Sequence, residues 1–82
     1  MSEYKTPKPN VHLGLYRHYK GGVYTVVGVA HDSTNGPGEG RWLVIYISAD
    51  VGILNARDIN QFFGAVDGGI PRFEFMERDP EA

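Results

Sequence analysis

The sequence predicts an all-β fold, a small barrel or roll of about five antiparallel strands with one helical turn before the last. Three features carry that expectation. Short runs of β-branched and aromatic residues fill the chain between positions 11 and 77. Glycine, proline, asparagine and aspartate interrupt those runs at intervals too short for ordinary helices. Only Ile59, Phe62 and Phe63 show the i, i+3, i+4 spacing that lays side chains along one side of a helical turn.

In chain order, the first strand is expected from Val11 to Tyr19. Leu13, Leu15, Arg17 and Tyr19 then share one face and His12, Gly14, Tyr16 and His18 the other, and neither face is cleanly apolar. Lys20-Gly21-Gly22 supplies the positive-φ residues of a tight hairpin, which pairs this strand with Val23 to Ala30. His31 to Gly40 contains Asn35-Gly36 and Pro37-Gly38 and reads as a surface loop. Trp42 to Ser48 is the third strand. Asp50-Val51-Gly52 turns the chain into a short fourth strand, Ile53 to Ala56, and the helical turn follows. After a turn at Asp67-Gly68-Gly69, Arg72-Phe73-Glu74-Phe75 alternates polar and apolar as a half-buried last strand does. This is the element order of an SH3-like small barrel. The expected core is Leu15, Val26, Val29, Leu43, Ile45, Ile59, Phe62, Phe73 and Phe75. One domain over 11–77 is expected between flexible polar tails at 1–10 and 78–82.

The residues also resemble a bacterial family, the domain of unknown function 1653. The resemblance runs over about residues 13 to 76 and lies in four blocks: Gly14-Leu15-Tyr16-Arg17-His18-Tyr19-Lys20-Gly21, Leu43-Val44-Ile45-Tyr46, Arg57 with Phe62, and Pro71-Arg72-Phe73-Glu74. It implies an SH3-like roll and no established activity. Where the family shows a tryptophan before the arginine and a proline after it, this chain has Asn55 and Asp58. The segment Ala30-His31-Asp32-Ser33-Thr34 is shorter than its family counterpart and is followed by an inserted Gly/Pro loop.

Composition narrows the function. A chain of 82 residues holds one domain. A domain of that size buries only about 60% of its unfolded surface, which leaves no room for a large enclosed active site. With no cysteine, disulfides and thiolate chemistry are excluded. Eight Lys and Arg against ten Asp and Glu give a net charge of -2, which weighs against a nucleic-acid partner. No apolar run nears the roughly 20 residues that span a bilayer, and the opening Met-Ser-Glu-Tyr-Lys-Thr-Pro-Lys-Pro is too polar for a signal peptide. A soluble, cytoplasmic protein without membrane contact is expected.

Candidate binding residues cluster in the family-like blocks. Arg17, His18 and Lys20 set three donors beside Tyr16 and Tyr19, and Arg17 and His18 must point to opposite faces of their strand. Arg17 either forks a phosphate or carboxylate while a tyrosine stacks on a ring, or pairs with Glu74 inside the barrel. Arg57 and Arg72 stand at strand or turn ends, where small barrels build grooves, and either join Arg17 in an anion-binding set or form structural pairs. Trp42 and Tyr46 share a face of strand three, as a stacking platform or as core.

Other motifs carry less. His31-Asp32-Ser33 has the letters of a hydrolase triad, but neighbours in sequence do not converge as nucleophile, base and orienter. His12, His18 and His31 match no metal spacing. The Gly36-Pro37-Gly38-Glu39-Gly40 loop lacks the amide at Pro37 and a following helix that a phosphate cradle needs. Asp32, Asp50, Asp58 and Asp67 sit in turns, where aspartate caps its own backbone.

The reading that follows is a non-enzymatic binding module needing no cofactor or metal. It holds an anionic nucleotide or nucleotide-derived signal through Tyr16, Arg17, His18, Lys20, Trp42, Tyr46, Arg57 and Arg72. Sequestration or sensing by a homo-oligomer, in a phage or bacterial setting, is the expected context. The alternative is an SH3-like interaction module that takes a protein segment or single-stranded nucleic acid.

Overall fold

The computed structural model describes residues 8–33, 40–48 and 51–78. β1 (Gly14–His18) reverses into β2 (Val23–His31). Gly21 makes that reversal possible with φ 105°, and two 2.7 Å bonds close it, His18 N–H to the Gly22 carbonyl and Gly21 N–H to the His18 carbonyl. β3 (Trp42–Ser48) falls where the sequence puts it, and β4 (Leu54–Asp58) runs two residues beyond the expected end. α1 (Ile59–Phe62) is the expected helical turn. Asp58 is its N-cap and starts it, Oδ1 accepting the Asn60 N–H at 2.8 Å. Phe63 caps its end, and position 64 takes glycine because a Cβ there would lie 2.8 Å from the Asn60 carbonyl oxygen.

Beyond the turn come β5 (Ala65–Val66), a 3-10 turn over Asp67–Gly69, and β6 (Ile70–Pro71), a small hairpin that the sequence reading contained only as its turn. β7 (Phe73–Arg78) is longer than the expected strand, and β1 is shorter, starting at Gly14 rather than Val11. The expected tails fall mostly outside the described residues, as do 34–39 of the Gly/Pro loop and Asp50 of the turn before β4.

The main sheet is antiparallel, in the order β4-β3-β2-β1-β7, with β5 and β6 forming a separate pair. A barrel closes only when its outermost strands pair. Here β4 and β7 each have one neighbour among the described residues, so the expected barrel is an open sheet. Shifts in register between Leu15 and Tyr16 on β1 and between Val26 and Gly28 on β2 mark bulges that bend it.

One face of the sheet holds the core: Tyr16, Val26, Val44, Tyr46, Phe62 and Phe73, with Val11, Leu13, Tyr24 and Ile59 packed around them. Phe62 brings the helical turn onto this face and lies parallel to Phe73, ring centroids 4.1 Å apart. Tyr16 meets Phe62 edge-on at 5.4 Å, and Tyr46 meets Phe73 edge-on at 5.3 Å. The expected core is therefore right on Val26, Phe62 and Phe73 and one residue out of step on two strands. Tyr16 replaces Leu15, and Val44 and Tyr46 replace Leu43 and Ile45. Because a strand's side chains alternate, a choice made on aliphatic character turned both strands over. Phe75 is also corrected, standing 43% exposed, and Val29 and Ile59 are half-buried.

Candidate functional site

On the core face, where β1 ends, the aromatic packing opens into a cleft of about 360 Å³. Its walls are His18 from β1, Tyr24 from β2, Tyr46 from β3, Asn55 and Arg57 from β4, and Phe73 from β7, with Val51 and Ile53 at its margin. The strand register builds it: Tyr16 stands across from Tyr24, His18 from Phe73, and Tyr46 from Asn55. Five strands thus contribute to one site.

The rings are mutually oriented. His18 packs edge-on against Phe73 at 4.9 Å and against Tyr24 at 6.2 Å, and Tyr24 meets Tyr46 edge-on at 5.5 Å. Arg57 reaches into this setting and donates from Nε to the Tyr46 hydroxyl at 3.3 Å. The ion pair among the described residues is Arg41 to Asp32 at 3.1 Å, so Arg57 carries its charge without a carboxylate partner there. Lys20 stands beside the cleft, its Nζ 5.7 Å from the centre of the Tyr19 ring.

His18 registers the resulting field. Burial, and then the charges of Arg57, Lys20 and Arg72, hold its imidazole below the ordinary value of 6.5. Its Nδ1 accepts the Lys20 backbone N–H at 3.1 Å, which places the proton of the neutral ring on Nε2. A chain of net charge -2 thus concentrates positive potential at one aromatic cleft. An anion attached to a planar ring is the ligand such a surface suits chemically.

With that geometry described, comparison with known proteins is informative. The model of a family described as "Protein of unknown function (DUF1653)" matches residues 14–75. The chain belongs to this family. The DUF1653 match runs from the first residue of β1 into β7 and includes every residue of the cleft. No curated protein and no solved structure matches the chain.

Of the candidate residues read from the sequence, His18, Tyr46 and Arg57 converge on the cleft, with Lys20 and Arg72 close enough to act on His18. Arg72 is held by structural bonds. Its Nε donates to the Gln61 carbonyl at 3.1 Å, which also accepts the Gly64 N–H, and its own carbonyl accepts the Tyr19 N–H at 2.9 Å. Arg17 projects from the opposite face of the sheet, exposed and directly across from Glu74. Tyr16 is 2% exposed, with its hydroxyl donating to the His12 carbonyl at 2.8 Å, and is core. Trp42 packs against His31 at 5.0 Å, six residues and roughly 20 Å along β3 from Ser48 at the cleft. Tyr24, Asn55 and Phe73 were missed as lining residues. The signal for Tyr24 was available, since the hairpin that pairs β1 with β2 sets it across from Tyr16.

Proposed function

We propose that the cleft binds a small anionic molecule bearing a planar ring, of the nucleotide or nucleotide-derived class, without turning it over. The protein would then sequester or sense that molecule. The observation that carries this reading is Arg57, a guanidinium without a carboxylate partner among the described residues, set among four aromatic rings. Its bond to Tyr46 uses Nε and leaves the Nη groups to fork a phosphate or carboxylate. His18, Tyr24, Tyr46 and Phe73 supply ring faces and edges for the planar part. Cytoplasmic residence in a bacterial or phage setting, and assembly into a homo-oligomer, belong to the same proposal. The core of six buried side chains and an outer sheet face carrying Leu15, Ile45 and Ile47 support assembly.

Native mass spectrometry of protein purified from cells tests the proposal directly. A retained small molecule, lost from the Arg57→Ala protein, is the expected result. Protein that carries nothing, and that gives no calorimetric signal with nucleoside mono- and diphosphates, would remove the reading.

A further inference from the structure

The two outer strands of the sheet differ in how they meet solvent. β7 carries Glu74 and Glu77, both exposed, and such charges on an edge discourage further strands. β4 carries one charge of each sign, Arg57 and Asp58, and so presents no repulsion of a single sign. It pairs with β3 alone among the described residues, and the chain entering it leaves Val51, Ile53 and Leu54 exposed at 63%, 60% and 62%. Asn55 and Arg57 turn toward the aromatic cleft, and Leu54 and Ala56 turn to the opposite face. A second cleft, of about 540 Å³, borders the same strand, its lining including Leu43, Ala56 and Gln61 with the charged Arg41, Arg57 and Asp58.

We infer that β4 is a docking edge for an extended acidic peptide of a partner protein, which adds to the sheet as a sixth strand. Main-chain bonds to the outward N–H and C=O groups of β4 hold it, and alternate side chains select it. Side chains on the cleft side lie beside Asn55 and the Arg57 guanidinium, where glutamate or aspartate is favoured. Those on the other side lie beside Leu54 and Ala56, where an aliphatic residue is favoured. The same acidic pattern is repelled at β7 by Glu74 and Glu77, whereas on β4 the Asp58 carboxylate is engaged by the Asn60 N–H, so charge favours the β4 edge. This inference goes beyond the small-molecule reading and does not depend on it.

The test uses the whole protein labelled with nitrogen-15 and an end-blocked peptide of alternating valine and glutamate, seven residues long. The expected result is saturable movement of the amide signals of 54–58, with those of β7 unchanged. Replacing the peptide's glutamates by glutamine is expected to weaken binding at least tenfold, and Arg57→Ala, checked for folding by its spectrum and melt, to do the same. Of two peptides added to the unaltered protein, one N-methylated at its valines and one at its glutamates, the one that loses the donors facing β4 is expected not to bind and the other to bind. Equal binding of both N-methylated peptides, undiminished binding of the glutamine peptide, amide shifts at β7 in place of β4, or no shifts at all would overturn the inference.

Discussion

The two faces of the sheet are built from different chemistry. The inner face is aromatic, carrying Tyr16, Tyr24, Tyr46, Phe62 and Phe73 with His18 at its margin. The outer face is aliphatic, Leu15, Thr25, Ile47 and Leu54 forming one continuous cross-strand row, with Arg17 and Glu74 at its border. In a chain with so small a core, rings bury the most area per residue, so they claim the face that the helical turn closes. The polar tips of Tyr46 and His18 lie on the same face. If the proposed anion binds there, stability and binding share one side of the sheet, and the following substitutions separate them.

The largest contrast is in stability. Phe73→Ala removes the ring stacked on Phe62 and touching Tyr24, Tyr46 and His18, and should cost about 3–5 kcal/mol. A domain of this size holds on the order of 4–12 kcal/mol in all, so that loss lowers the melt by tens of degrees or abolishes folding. Leu54→Ala on the outer side, 62% exposed, should cost under about 1 kcal/mol. Thermal and urea melts of the two proteins decide the point. Equal losses would mean that the outer face is covered as well.

Next in size is the division between the arginines. Arg57→Ala should weaken binding of the proposed anionic ligand by about tenfold to a hundredfold, the effect of losing hydrogen bonds to a charged group. Arg57→Lys should recover part of it, keeping the charge and losing the fork. Arg17→Ala should leave affinity within about twofold, since Arg17 stands on the other face. Calorimetric titration of all three proteins measures this, and a strong Arg17 effect would move the site to the outer face. Within the core, Tyr16→Phe keeps the ring and drops the bond to the His12 carbonyl. It should cost only about 0.5–1.5 kcal/mol in a urea melt, with binding unchanged.

These contrasts also mark what could be read from the chain. Element type and order were legible because glycine-rich turns and β-branched runs are local signals. Strand β3 was read to the residue and α1 from three apolar positions. Which face is buried was less legible, because on β1 and β3 both alternating sets contain large apolar residues. Leu15 competes with Tyr16, and Ile45 with Val44 and Tyr46, and tertiary packing against Phe62 and Phe73 decides. The site inherits that ambiguity. His18, Tyr46 and Arg57 were read as candidates from their chemistry, whereas excluding Arg17 and Tyr16 required knowing the face. The two-residue strands β5 and β6 are too short to carry a periodic signal.

The smallest expected effect tests the electrostatics of the inner face through His18. Its imidazole is held below 6.5 by burial first and then by Arg57, Lys20 and Arg72, so the folded protein binds its proton less readily than the unfolded chain does. Stability from this group is therefore complete above pH 6.5 and is lost as pH falls through the depressed folded value, where both states are protonated. The melting temperature should decline modestly over that interval, and His18→Gln should remove that part of the decline. Nuclear magnetic resonance titration of the His18 ring gives the more direct reading. Its midpoint should lie below 6.5, rise when Arg57→Gln removes one of the neighbouring charges, and stay fixed in Arg17→Gln. A midpoint that responded equally to both arginines would show that the sheet does not separate its two faces electrostatically. The cleft would then have no claim to being the protein's anion site on grounds of charge.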